Sequence, residues 1–121
     1  MEFYKWVKIE IYVPEDKLQD IRGALNKGGA GKIGEYDNCL SMYEVRGYWR
    51  PLEGADPFEG EVGKVCEGRE LKIEARCYID NVKATIDEIL KVHPYEEPVI
   101  NIVPLINHVY IDDNMKKNSQ K

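Results

Sequence analysis

Two short strings hold the side chains best suited to chemistry. The first, HPYEEP, runs from His93 to Pro98 and sets an imidazole close to the carboxylates of Glu96 and Glu97. These are the residue types of a metal site or of an acid and base pair. Two expectations correspond to them: a divalent metal ion held by His93 with Glu97, and a hydrolase using His93 with Glu96 or Glu97. Spacing works against both, because after Pro94 the chain is extended and the two glutamates point to opposite sides. A histidine in the last turn of a helix is also favoured by the helix dipole and by the free carbonyls. The plainer reading is a string that stops a helix and starts a strand, and His108 has no anchored position from which to add a ligand.

The second string, GAGKIG, spans Gly29 to Gly34 and matches G-x-G-x-x-G. A dinucleotide site needs that string after a strand and ahead of a helix, so that the pyrophosphate meets the helix N-terminus. Here a helix precedes it and a strand follows. A phosphate loop fails as well, because Lys32 is followed by Ile33 instead of Ser or Thr. What remains is a glycine turn whose backbone N–H groups, with Lys32, would hold a small anion.

The thiols add no catalytic set. Cys39, Cys66 and Cys77 are odd in number and show no CxxC spacing, so neither a disulfide framework nor a zinc knuckle is expected. Cys77 falls on the inward parity of its strand as a small core residue, and Cys66 has Lys64 near it but no histidine. The balance of 22 acidic and 17 basic residues gives a net charge of −5, which supplies no long-range attraction for nucleic acid. No apolar run approaches the ~18 residues of a membrane span, and the N-terminus lacks the pattern of a secretory signal. A cytoplasmic protein is expected.

The elements that must position these strings follow from periodicity. Phe3, Val7, Ile9, Ile11 and Val13 alternate with polar or aromatic positions as a strand. Pro14, Glu15 and Asp16 open a helix whose Leu18, Ile21, Ala24 and Leu25 face inward, and Gly28 and Gly29 end it. Asn38 to Trp49 reads as a strand with poor alternation. Leu71 to Ile79 alternates cleanly. Asp80 is placed to cap a second helix with Val82, Ile86, Ile89 and Leu90 as its inner stripe, closed near His93 by Pro94. Val99 to Leu105 is a last strand, bracketed by prolines as suits a sheet edge.

The order β-α-β-β-α-β predicts an α+β ferredoxin-like sandwich, a four-stranded antiparallel sheet with both helices on one face. Residues 1–110 are expected to form one domain and 111–121 a polar, mobile tail. The face without helices would carry Tyr4, Trp6, Tyr12 and Tyr78 mixed with charges, a composition that predicts self-association or the docking of a partner protein. Between Arg50 and Gly68 the string RPLEGADPFEGEVGKVCEG has no periodicity. Its glycines and prolines suggest an ordered excursion, or the irregular tip of two strands running beyond the sheet.

Taken together, YDNC after GAGKIGE, then RPLEGADPFEGEVGK and HPYEEP, the chain resembles the domain inserted in YqfO-type members of the family named for an NGG-interacting factor. The resemblance runs from about Tyr4 to Leu105. It implies a CutA-like, PII-like domain, which is the topology reached above from periodicity. It also implies a homo-oligomer, a trimer ahead of a dimer, with small-molecule or metal sites in clefts between subunits. The two-metal core of that family lies outside the inserted domain and has no counterpart in this chain. Val45, Tyr48 and Trp49 depart from the small residues and phenylalanine expected before RP. The leading expectation is therefore a non-enzymatic binding module, with Lys32, Tyr36 and Arg50 as anion contacts and His93 with Glu97 as metal ligands. A structural adaptor and an acid–base enzyme are the alternatives.

Overall fold

The computed structural model describes residues 3–111. Four strands, β1 (Trp6–Val13), β2 (Ser41–Trp49), β3 (Cys66–Tyr78) and β4 (Ile100–Leu105), form one antiparallel sheet in the order β2-β3-β1-β4. Helices α1 (Leu18–Gly28) and α2 (Val82–Val92) connect them, each entered through a single 3₁₀ turn, and a short α3 (Asn107–Tyr110) follows β4. This is the expected α+β ferredoxin-like sandwich, with β4 at an edge. No helix of the described residues is long and apolar enough to cross a membrane.

The core lies between one sheet face and the two helices. Val7, Ile9, Ile11 and Val13 of β1 and Leu71, Ile73, Ala75 and Cys77 of β3 are buried on that face. Ile21, Ala24 and Leu25 of α1 and Ile89 of α2 cover them. Each fully buried branched side chain contributes on the order of 1.5–3 kcal/mol relative to exposure. The helices meet closely at Gly28, where a Cβ would stand 2.3 Å from the Cα of Thr85. Thr85 is fully buried, and its hydroxyl donates to the Asn81 carbonyl at 2.7 Å, so the inward polar group is satisfied.

Four sequence expectations are corrected by this geometry. The inner stripe of α2 runs through Val82, Thr85, Ile89 and Val92, while Leu90 is 53% exposed and Ile86 only half-buried. Asp80 does not cap α2: it sits inside the preceding 3₁₀ turn, and no side chain bonds the N-terminus at Asn81. Strand β3 begins at Cys66, within the string read as a loop, and Cys66 pairs with Trp49 of β2. Strand β2 begins at Ser41, since residues 32–40 form the glycine turn and its exit.

The early start of β3 has a consequence for shape. The ladder of β1 with β3 ends at Val13↔Leu71, yet β2 and β3 stay paired from Val45↔Glu70 to Trp49↔Cys66. A two-stranded arm therefore projects past the body of the sheet, as one of the two readings of the long loop proposed. The excursion that remains, residues 50–65, links the tips of the arm. Of the polar tail, residues 112–121 lie outside the described residues.

Candidate functional site

The excursion and the HPYEEP string, far apart in sequence, come together beside the arm. The Asp56 backbone N–H donates to Glu96 Oε1 at 3.0 Å, and the rings of Phe58 and Tyr95 lie 6.0 Å apart. The indole N–H of Trp49 donates to the Glu59 carbonyl at 3.1 Å, which pins the excursion to the end of β2. Pro51 is buried beneath it and accepts the Gly63 N–H at 2.8 Å. Glycine is required at position 60, where φ is +100° and a Cβ would meet Cys66 Sγ and Trp49 Nε1 within 3 Å.

These contacts bound a partly enclosed cleft of about 540 Å³. Its walls are aromatic, with Tyr12 from β1, Tyr48 and Trp49 from β2, Phe58 from the excursion and Tyr95. Glu70, Glu59, Glu96 and Glu97 supply the polar surface together with Asn101. Tyr95 donates its hydroxyl to Glu70 Oε2 at 2.6 Å. Burial first, and then that bond to a carboxylate, hold the Tyr95 hydroxyl well above the ordinary tyrosine range.

His93 stands behind the cleft as its support. Its Nδ1 accepts the Tyr95 N–H at 3.2 Å, so the proton sits on Nε2, which faces the Tyr12 carbonyl oxygen at 2.8 Å. Desolvation pushes its pKa below the usual histidine value, against the opposing pull of the Tyr12 carbonyl and Glu70. The ring is buried, with its centroid 4.9 Å from that of Tyr95. Both ring nitrogens are engaged, leaving no lone pair free for a metal or for general base chemistry in this conformation. Glu97 lines the cleft instead. Among the described residues, no group of three or more His, Cys, Asp or Glu side chains is arranged to hold a metal ion.

The three anion candidates are not gathered in one place within the chain. Lys32 and Tyr36 are exposed on the glycine turn ahead of β2, and Arg50 follows its far end. A nine-residue strand separates them, roughly 30 Å at the usual rise per residue. In the turn, the N–H groups of Gly29, Ala30, Gly31 and Ile33 already donate to the carbonyls of Asn26, Leu25, Arg76 and Tyr36. The glycines thus serve chiefly to turn the chain. Next to the turn is a shallow hollow of about 270 Å³ that includes Ile33, Cys39, Lys8 and Arg76.

The open sheet face holds a charged lattice inside an aromatic rim. Lys8 and Lys72 alternate with Glu10 and Glu74 at 2.9–3.7 Å, Tyr43 donates to Glu74 at 3.0 Å, and the Arg76 guanidinium stacks 4.6 Å from the Trp6 ring centroid. Cys77, on the other face, is buried at 0% exposure with its thiol pushed up by desolvation, as fits a core residue.

The cleft itself was missed by sequence reasoning. The only signal was that two aperiodic strings, ADPFEG and HPYEEP, repeat the same mixture of proline, aromatic ring and carboxylate.

No protein-family model matches the chain. It is 41% identical over 98 residues to the GTP cyclohydrolase 1 type 2 homolog of Bacillus subtilis, an alignment covering 81% of this chain and 26% of that protein. The chain thus spans about a quarter of the length of the curated relatives it matches. Among solved structures, a Bacillus cereus protein related to NIF3 superposes with a TM-score of 0.75 at 30% identity, covering 86% of this chain and 26% of that one. The PII-like protein CutA from Nostoc sp. PCC 7120 superposes with a TM-score of 0.63 at 18% identity, covering 88% of this chain and 91% of that one. The chain therefore has the CutA-like, PII-like fold, and its homologues of longer length carry the name GTP cyclohydrolase 1 type 2 homolog.

Proposed function

We propose that this chain is a non-enzymatic, PII-like ligand-binding module, equivalent to the domain inserted in YqfO-type proteins, and that the aromatic cleft is its small-molecule site. The observation that carries this reading is the convergence of Pro57–Glu59 with Tyr95–Glu97 around about 540 Å³ of open space. That volume lies within the ~300–1,000 Å³ usual for small-molecule pockets. An aperiodic excursion held in place by its own hydrogen bonds, against a cleft, is what a binding loop on a rigid scaffold looks like.

The reading includes self-association, with a trimer favoured. Tyr48 on the arm is 65% exposed, Val65 on the excursion is 69% exposed, and Leu52 and Val62 on the excursion are also open. Such a set of exposed apolar side chains fits burial against a second copy. The cation tolerance in the names of some CutA neighbours and the nucleotide in the name of the curated relatives suggest divalent metals and GTP as ligands to try. The expected anion contacts Lys32, Tyr36 and Arg50, and the metal pair His93 and Glu97, would meet in one site only if contributed by different subunits or after rearrangement.

Light scattering and a thermal-shift panel test the proposal together. A trimeric or dimeric mass and a rise in melting temperature with at least one small molecule are expected, since a ligand that binds the folded state stabilises it by mass action. A monomer at high concentration with no shift from any compound would replace this reading with that of a structural adaptor.

A further inference from the structure

The charge of the cleft selects its ligand class, an inference that rests on reading the cleft as a binding site. Thirteen residues line it, four of them glutamates and none of them Lys, Arg or His. Some acidic side chains elsewhere are paired, since Glu10, Glu44, Glu61, Glu67, Glu74 and Glu88 each have an ion pair within the chain, while others on the surface, such as Glu35, Glu53 and Asp80, have none among the described residues. Among the described residues, Glu59, Glu70, Glu96 and Glu97 have none. Glu70 and Glu96 are instead oriented by neutral donors, the Tyr95 hydroxyl and the Asp56 N–H, which fix a carboxylate without cancelling its charge. Uncompensated like charges that face one partly enclosed space repel one another and raise the local affinity for a cation. The Tyr12 ring already has Lys72 Nζ over it at 5.7 Å from its centroid, and the π systems of the other aromatic residues add attraction for a cation, above all one with an apolar body.

We propose that the cleft binds an organic cation, an ammonium group carried on an apolar body, with the ammonium toward Glu70, Glu59 and Glu97 and the body against Trp49 and Phe58. A polyphosphate ligand such as a nucleotide meets four carboxylates there and no cationic side chain. The chemistry is that of an amine recognised by its charge and its hydrophobic surface together, with selectivity against the isosteric alcohol and acid.

Three probes of one shape separate the possibilities: 2-phenylethylamine (protonated at pH 7), 2-phenylethanol and 3-phenylpropionate. The indole N–H of Trp49 lies in the cleft, bonded to the Glu59 carbonyl, and its ¹H–¹⁵N signal reports occupancy, with the Trp6 indole on the open sheet face as internal reference. The amine should bind on the order of tenfold more tightly than the alcohol, with the propionate weaker still. Raising NaCl to about 0.5 M should narrow that preference on the unaltered protein. The double variant Glu59→Gln with Glu97→Gln, whose side chains make no hydrogen bond or ion pair among the described residues, should lose the amine preference and keep the affinity for the alcohol. Equal binding of alcohol, acid and amine overturns the cation inference and leaves the cleft as a ligand site. No movement of the Trp49 signal with any probe overturns both.

Discussion

The His93 imidazole reaches the Tyr12 carbonyl oxygen at 2.8 Å, tying the end of α2 to β1 across most of the chain. The bond makes His93 a strut, and its protonation state a condition of stability. Burial depresses its pKa in the folded protein below the usual histidine value of 6.5, so the unfolded chain binds more protons just below that pH. Stability should therefore be fully present above about pH 6.5 and fall as the pH drops through the folded pKa, reaching a floor beneath it. Urea unfolding between pH 7.5 and 5 checks this, and His93→Gln should flatten the dependence. At neutral pH His93→Leu should cost about 1–3 kcal/mol through the unpaired Tyr12 carbonyl and Tyr95 N–H. An unchanged pH profile in the glutamine variant would show that another group titrates.

Period-two burial made β1 and β3 legible, because each of these central strands has one face on the core and one in the open. Handedness and connection rules then gave a four-stranded sheet with both helices on one face, and the prolines around β4 suited an edge. Strand β2 resisted, because Ser41 to Glu44 are exposed on both faces and only Val45 to Trp49 alternate, between half-buried and exposed. The stripe of α2 was misplaced for a related reason: Leu90 looks like core and Thr85 does not, but Gly28 of α1 leaves room for a small hydroxyl that bonds its own helix. The cleft depends on a contact between Asp56 and Glu96, and no local pattern encodes which two irregular strings will meet.

Helix packing at Gly28 gives a prediction of unusual sign. In a helix interior, alanine exceeds glycine by roughly 0.5–1 kcal/mol of intrinsic propensity. Here the added Cβ would meet backbone, the Cα of Thr85 at 2.3 Å, and backbone cannot swing aside as a flexible side chain can. Gly28→Ala should lower stability by about 1–3 kcal/mol despite the propensity gain. Chemical denaturation decides it, and a more stable variant would mean that the two helices lie farther apart than they do here.

Tyr95 and Glu70 join the string after α2 to β3 by a 2.6 Å hydrogen bond to a carboxylate. Tyr95→Phe keeps the ring against Phe58 and His93 and should cost about 1–3 kcal/mol at neutral pH. The double variant with Glu70→Gln should cost less than the sum of the two single changes, which a double-mutant cycle measures. The folded pKa of Tyr95 is raised above its ordinary value of 10.0. That stabilisation is complete below the unfolded pKa and lost as pH rises through the folded one. The advantage of the wild type over Tyr95→Phe should therefore shrink only in alkali, and a difference that shrinks between pH 7 and 9 would contradict the assignment.

Gly60 tests whether the excursion is a separable layer of the structure. Its φ of +100° strains any residue with a side chain, and the new Cβ of Gly60→Ala would press on Cys66 Sγ at 2.8 Å and on Trp49 Nε1 at 2.9 Å. The Trp49 to Glu59 bond and the anchorage of residues 50–65 should be lost, while the core between β1, β3 and the two helices touches none of these atoms. Limited proteolysis should accordingly cut the variant faster within residues 50–65, and the Trp49 indole signal should shift toward its solvent-exposed position. The midpoint of global urea unfolding should move little, because the excursion opens as a local unit of low stability. A large fall in that midpoint would make the arm part of the folding core, and the cleft would then be a by-product of stability instead of a site set upon it.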